Sequence, residues 1–148
     1  TDRRNEAMNT TTTTTTTNIP FVMASAFRPD YTFEENMELL EVFKAHLSTM
    51  GYGKKEVCVR CWEGEHELSL KITVGGIYDA CRISKIATVI YDQDAVLYVD
   101  SHNEAHMMVY DTVINGTREN TIGEWKKVQS IDGLKGYTAT KDGFYSVI

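Results

Sequence analysis

The stretch Phe21-Val22-Met23-Ala24-Ser25-Ala26-Phe27-Arg28 decides the fold, because it is an apolar run that ends in a hydroxyl and a guanidinium. Apolar and small residues in unbroken succession are typical of a strand that is covered on both faces. We therefore predict a first buried strand that delivers Ser25 and Arg28 to a sheet edge, where an anion could bind. Arg28 also has a simpler interpretation, as a surface charge paired with Asp30.

The composition describes an acidic chain of ordinary domain size. It has 148 residues, with 15 Lys and Arg against 21 Asp and Glu and a formal net charge of -6. This length suffices for a core without covalent staples. The acidic balance argues against binding to a phosphate backbone, so we predict no nucleic-acid partner. We find no signal peptide and no apolar run of membrane-spanning length, and we expect no membrane partner and a cytoplasmic location.

Residues 1–18 differ in composition from the rest of the chain. They contain almost no apolar side chains, and residues 10–17 are an unbroken threonine tract. Such a segment cannot bury enough surface to offset the entropy of ordering. We predict a disordered tail over residues 1–18 and a single domain over residues 19–148.

The cysteines indicate a reducing compartment and no metal. Cys58, Cys61 and Cys81 are an odd number. Cys58 and Cys61 have CxxC spacing but lie in an alternating strand pattern, and neither His66 nor Cys81 supplies a second ligand pair for zinc. The chain also lacks the HExxH, Walker, GxSxG and GxGxxG motifs. We therefore predict no metal and no cofactor.

The order of predicted elements indicates an α+β fold. Thr32 is a suitable N-cap for a helix that ends at the C-cap glycine Gly51. Alternation over residues 56–62 and 68–74 predicts a hairpin, residues 77–91 have helical periodicity, and a strand follows at 95–99. Strand, helix, strand, strand, helix, strand is the ferredoxin-like arrangement, an antiparallel sheet with two helices on one face. Its bare face would favour oligomerisation.

Two polar segments stand out as candidate sites. Trp62-Glu63-Gly64-Glu65-His66-Glu67 places three carboxylates at the hairpin bend, where an exposed turn is the simplest interpretation, but Trp62 indicates packing on something. Tyr91-Asp92-Gln93-Asp94 follows the second helix. Its carboxylates oppose the helix dipole, and this unfavourable placement favours a functional explanation.

Taken in order, several blocks of this chain resemble the phage-encoded S-adenosylmethionine lyases, formerly called S-adenosylmethionine hydrolases. The blocks are Ser25-Ala26-Phe27-Arg28, Cys61-Trp62, Gln93-Asp94-Ala95-Val96-Leu97-Tyr98 and residues 123–147. The family has a strand ending in SAFR, a Cys-Tyr strand with a glutamate on the following bend, and a QDxVL strand start. Here Trp62 replaces the tyrosine and the hairpin loop looks shorter. Glu63 and Glu67 therefore both remain candidates for the family glutamate, with Glu67 favoured, and Tyr52 is a candidate for the missing phenol.

The resemblance implies a fold, an assembly and a reaction. The subunit would be ferredoxin-like and PII-like, forming a homotrimer with substrate in the clefts between subunits. S-adenosylmethionine would be converted into 5'-methylthioadenosine and L-homoserine lactone, by attack of the substrate's own carboxylate on its γ-carbon. The biological role would be anti-restriction, in which a bacteriophage depletes the methyl donor in the cytoplasm of its host.

The resemblance and the residues together give a set of predicted site residues. We assign Glu67, Asp94 and Tyr52 as catalytic, with the carboxylates orienting the cationic end of the substrate. Tyr52 or Trp62 would flank the sulfonium or the adenine. The residues predicted to bind substrate are Ser25, Ala26, Phe27, Arg28, Trp62, Glu63 and Gln93. Arg28 is assigned to positioning or subunit contacts, because tight pairing with the substrate carboxylate would blunt the nucleophile.

Three alternatives to lactonisation stay open from the sequence. The first is hydrolysis of S-adenosylmethionine to homoserine. The second is a PII-like sensor that binds an adenosine ligand without chemistry, and the third is an acidic phage inhibitor of a host protein.

Overall fold

A computed structural model describes residues 18–148. The threonine tract and the rest of residues 1–17 lie outside the described residues, and so does nearly all of the predicted tail. The elements, in chain order, are β1 (Phe21–Ala24), α1 (Phe33–Thr49), β2 (Lys55–Trp62), β3 (Glu65–Thr73), α2 (Ile77–Val89), β4 (Val96–Val99), β5 (Glu104–Asp111), β6 (Gly116–Val128), β7 (Gly136–Thr140) and β8 (Gly143–Val147). Neither helix combines the length and the apolar character that crossing a membrane requires.

The eight strands form one closed antiparallel barrel. Their order around it is β1-β3-β2-β7-β8-β6-β5-β4, and β4 pairs again with β1. Met23 on β1 therefore lies opposite Lys71 on one side and Leu97 on the other. The prediction of an open ferredoxin-like, PII-like sheet is wrong. The first six elements do follow in the predicted order, but β5 to β8 continue the sheet and join β4 back to β2.

Closure of the barrel explains why β1 is buried on both of its faces. Val22 and Ala24 point outward and pack under the two helices, against residues such as Phe43 and Ile83. Phe21 and Met23 point into the barrel; the interior core that they enter also contains Cys58, Val99, Ala105 and Trp125. The sheet face that we predicted to be uncovered is therefore covered by other strands of the same chain. Oligomerisation is not required for that purpose.

The ends of α1 form as the sequence predicts. The hydroxyl of Thr32 accepts a hydrogen bond from the backbone N–H of Glu35 at 3.1 Å, and the Glu35 carboxylate accepts one from the Thr32 N–H at 2.8 Å. This reciprocal capping box satisfies two N–H groups that a helix start otherwise leaves free. At the other end Gly51 has φ of 97°, a left-handed conformation that glycine adopts without strain.

An ionic cluster around His106 ties β5 to its two neighbours. The imidazole Nε2 lies 2.8 Å from Oδ2 of Asp100, just after β4, and Nδ1 bonds the carboxylate of Glu119 on β6. Burial lowers the pKa of His106, but the hydrogen bonds to Asp100 and Glu119 raise it by more, so that its pKa lies above the usual 6.5. Because carboxylate oxygens accept hydrogen bonds, the imidazolium, which has two N–H donors, is the form that satisfies both contacts.

We expect the free energy of unfolding to depend on pH through this histidine. Because the folded-state pKa is raised, the stabilisation is fully present below about pH 6.5 and is lost as the pH rises through the folded-state pKa. Urea unfolding of the wild type and of His106→Gln at several pH values from 6 to 9 measures this. The stability difference between them should shrink as the pH rises. A constant difference would show that folding does not raise the pKa of His106.

Candidate active site at the mouth of the barrel

One end of the barrel opens into a cavity of about 600 Å³. It lies where β2 and β8 end and where β4 and β7 begin. Side chains that face it include Arg60, Trp62, Asp94, Leu97, Trp125 and Tyr145. This volume is in the range of small-molecule sites, which are apolar concavities with a few polar groups at chosen points.

Glu67 is held beside this cavity by a cross-strand pair. Arg60 on β2 lies opposite Glu67 on β3, and Nη1 is 3.3 Å from Oε2. Cys58 lies two residues before Arg60, and Ser69 lies two residues after Glu67. Both are buried in the barrel. Because side chains alternate between the faces of a strand, Arg60 and Glu67 turn to the same interior face.

The environment of Glu67 differs from that of Glu63, the other candidate for the family glutamate. Burial raises the pKa of Glu67 above its ordinary value, and the opposing effect of Arg60 is smaller. Glu63 lies on the exposed turn between β2 and β3 with φ of 49°. Glu67 is not itself part of the cavity lining, but its ion-pair partner Arg60 is. A partly desolvated carboxylate next to a cavity is a typical feature of functional sites, so the geometry favours Glu67.

The end of β1 is fixed at the same end of the barrel. Ser25 is buried, and its hydroxyl donates to the carbonyl of Leu68 at 2.9 Å while accepting from the N–H of Phe27 at 3.0 Å. The side chain of Gln93 donates to the carbonyl of Phe27 at 2.9 Å. Ala26 is fully buried. These bonds make Ser25 and Gln93 supports that hold the strand end against the loop before β4.

Asp94, Trp62 and also Gln93 line the cavity. Asp94 is exposed in the loop, two residues before β4 begins. Trp62 is 57 % exposed, and its ring lies against Gly136 on β7, where an added Cβ would come within 2.5 Å of Cε3. The expectation that Trp62 packs on something is confirmed, since Gly136 leaves it the room to do so.

Arg28 is engaged by neighbours of its own chain. Its Nη2 lies 3.0 Å from Oδ2 of Asp92 and its Nε lies 3.8 Å from Oδ1 of Asp30. The guanidinium also lies 4.8 Å from the centre of the Tyr31 ring. These contacts connect the loop after β1 to the loop after α2, which is what a positioning residue would do.

Tyr52 lies at the opposite end of the barrel, before β2 begins. Its hydroxyl donates to Oδ1 of Asp79 at 2.6 Å and accepts from Nη1 of Arg82 at 3.0 Å. Burial, followed by the hydrogen bond to Asp79, raises the pKa of Tyr52 to about 12. Within one subunit the structure does not bring this phenol to the mouth.

Residues 18–148 contain one group of side chains with the spacing of cation ligands. Asp100, Glu104 and His106 are close enough to share an ion, with ligand atoms within 4.8 Å of one another. This is the ionic cluster described above; it lies at the far end of β4 from Asp94, and both nitrogens of its imidazole bond carboxylates. Cys58, Cys61 and Cys81 are free thiols.

Sequence reasoning missed Arg60, Trp125 and Tyr145. Arg60 carried a signal, because it lies two residues before Trp62 in an alternating strand and so shares its face. Trp125 and Tyr145 meet at the mouth only because β6 and β8 pair within a closed barrel. Their approach depends on the topology that the sequence did not predict.

These features define a barrel with a carboxylate-bearing, aromatic cavity for a small molecule at one mouth. Residues 22–148 match the model of the S-adenosylmethionine lyase family, so the chain belongs to that family. The match extends over all but the first 21 residues, and it confirms both the family prediction and the prediction of an S-adenosylmethionine lyase. The comparison with curated proteins gave no match.

Proposed function

We propose that this lyase degrades S-adenosylmethionine by intramolecular lactonisation at the barrel mouth. An oxygen of the substrate's α-carboxylate forms a bond to the γ-carbon. The bond between that carbon and sulfur breaks, and its electron pair stays on sulfur. The products are neutral 5'-methylthioadenosine and L-homoserine lactone. The step balances without water, a general base or a cofactor.

Charge development decides what the protein must supply. A carboxylate and a sulfonium neutralise each other as the reaction proceeds, so removal of water and a curled methionyl chain both lower the barrier. A protein carboxylate held at the sulfonium would stabilise the ground state more than the transition state, because the sulfonium charge disappears. The α-ammonium keeps its charge throughout. Glu67 and Asp94 therefore orient the ammonium in this proposal.

The observation that carries the proposal is the partly desolvated Glu67 beside the cavity. Its side chain is 35 % exposed and Arg60 is its ion-pair partner. One Arg60 contact leaves lone pairs of the carboxylate free for an ammonium. Arg60 is a positioning residue, because it acts by fixing the rotamer and the charge of Glu67.

In a plot of kcat/KM against pH, activity should fall on the acidic side, in a limb whose position the pKa of Glu67 determines. The carboxylate binds the ammonium only when ionised, so the rate should fall as the pH drops through its raised pKa. Arg60 lowers that pKa, and Arg60→Met should therefore move the limb to higher pH, whereas Arg60→Lys should leave it close to wild type. Profiles of kcat/KM against pH for the three proteins measure this. Coincident limbs would remove Arg60 from this role.

Product analysis distinguishes lactonisation from hydrolysis, from ligand sensing without chemistry and from inhibition of a host protein. Purified protein is incubated with S-adenosylmethionine, and the mixture is separated by chromatography. 5'-Methylthioadenosine with homoserine lactone at early times supports lactonisation, and homoserine at those times supports hydrolysis. Binding without product would indicate a sensor, and neither binding nor product would indicate an inhibitor.

We also propose the biological role and the assembly that the resemblance implies. Depletion of the methyl donor by a phage enzyme in the host cytoplasm would serve anti-restriction. An interface between subunits is supported by large apolar side chains that one subunit leaves in solvent, such as Tyr78 at 85 %, Val113 at 91 % and Ile114 at 61 % exposed. The number of three subunits is the one that the resemblance implies. Light scattering should give about three times 16.8 kDa, and the mass of one subunit would contradict the trimer.

A further inference from the structure

The barrel-mouth cavity has two chemically different zones. Its charged lining groups, Arg60, Asp94 and Lys135, belong to segments around the opening. Leu97, Trp125, Tyr145 and Val147 also line it, and these four belong to the apolar core inside the barrel. A ligand that fills the cavity would therefore place an apolar group inward and its charges at the opening.

Three aromatic side chains line the cavity, two of them in its inner zone and Trp62 at the opening. Trp62, Tyr145 and Trp125 come from β2, β8 and β6, and the intervening β7 contributes Gly136, whose missing side chain gives Trp62 its place. The rings of Trp125 and Tyr145 are parallel within 7°, with centroids 5.3 Å apart. Phe21 meets Trp125 edge-on at 5.3 Å and fixes it from the core side. We call these three side chains the aromatic wall.

We infer that the aromatic wall binds the adenine ring of S-adenosylmethionine, with the ribose and the methionyl chain directed to the opening. This assignment rests on the proposed function. Adenine is flat and uncharged, and stacking on aromatic side chains suits any base because every base has a π-face. The charged end of the substrate then lies at the opening, which Asp94 and Arg60 line and where Glu67 pairs with Arg60.

The wall suits adenine better than it suits the sulfonium. Aromatic faces attract cations, so Trp62 or Tyr145 could in principle hold the sulfonium. That contact would be lost as the sulfonium becomes a neutral sulfide, and it would stabilise the ground state at the expense of turnover. Adenine keeps the same contacts from substrate to product. The wall therefore contributes binding energy without opposing the reaction.

Single-tryptophan variants test the assignment by fluorescence. The chain has two tryptophans, so Trp62→Phe leaves Trp125 and Trp125→Phe leaves Trp62. Each variant is titrated with 5'-methylthioadenosine, which has adenine and no sulfonium, and with S-methylmethionine, which has a sulfonium and no adenine. We expect saturable quenching by 5'-methylthioadenosine in both variants and none by S-methylmethionine. The reverse pattern, or no response to either compound, would overturn the assignment.

A matched pair of substitutions on β8 gives an independent readout. Tyr145→Leu should raise the Kd for 5'-methylthioadenosine and the KM for S-adenosylmethionine by about tenfold, with a smaller effect on kcat. Phe144→Leu changes the neighbouring side chain, which is 41 % exposed on the outer face, and should leave both constants unchanged. Equal constants in the two variants would contradict the wall. If the wild type turns over S-adenosylmethionine but Tyr145→Leu has unchanged Kd and KM, the assignment of the wall is wrong and the proposed function is unaffected. If the wild type shows no turnover but 5'-methylthioadenosine still quenches the fluorescence, only the proposed function is contradicted.

Discussion

Glu67→Gln is expected to lower the turnover of S-adenosylmethionine by about 100-fold or more, the loss typical when one electrostatic group of an active site is removed. The amide keeps the shape of the side chain but cannot neutralise the substrate ammonium. Because burial disfavours the charged form of Glu67, the substitution should not lower the melting temperature. Rates of 5'-methylthioadenosine formation and a thermal melt of the same sample measure both effects.

Glu65→Gln is the matched control for this experiment. Glu65 begins the same strand but is exposed, and it lies opposite Trp62 in the register. It should keep wild-type turnover and wild-type stability. Equal rates for wild type and Glu67→Gln would remove Glu67 from the mechanism, and an equal loss in both variants would indicate a general effect of hairpin charge.

The second large effect expected is on stability, at the contact between α1 and the barrel. Phe43 is fully buried, and its ring centroid lies 4.6 Å from that of Tyr91, just before the loop that carries Asp94. Phe43→Ala should lower the free energy of unfolding by about 3–5 kcal/mol, because the truncation leaves a cavity. Urea unfolding followed by circular dichroism measures the change.

The neighbouring residue supplies the control for Phe43. Val42 is 56 % exposed on the same helix, and Val42→Ala should change the stability by no more than about 0.5 kcal/mol. Similar midpoints for the two variants would show that α1 does not pack on the barrel as described. The activity of Phe43→Ala, measured at urea concentrations below its unfolding midpoint, would show whether the loop before β4 depends on the contact between Phe43 and Tyr91.

The helices and the first strands were predictable because their signals are local. Thr32 and Gly51 mark the ends of α1 by side-chain and backbone chemistry that needs no distant partner. Closure of the barrel has no such signal. β6 runs over 13 residues, of which only Trp125 is buried, so its sequence lacks the alternation that identifies a strand. Pairing with β5 and β8 determines its conformation, and the sequence could not predict that pairing.

The candidate site divides in the same way. Trp62 and Asp94 were found because each is locally out of place, an aromatic at a bend and a carboxylate after a helix. Arg60 and Tyr145 depend on register and closure, which bring them to the mouth from other strands. Tyr52 was included only through the resemblance, as a candidate for a missing phenol, and its assignment as a catalytic residue stays a prediction. Its bonds to Asp79 and Arg82 stabilise the other end of the barrel.

The most direct measurement of the central claim is the fate of oxygen when the reaction runs in H₂¹⁸O. If the substrate carboxylate attacks the γ-carbon, the hydroxyl oxygen of any homoserine formed later by lactone opening comes from the substrate. Water then enters only the carboxyl group. We predict a γ-hydroxyl without ¹⁸O, together with unlabelled homoserine lactone at early times. ¹⁸O in the γ-hydroxyl would show attack by water and would contradict lactonisation.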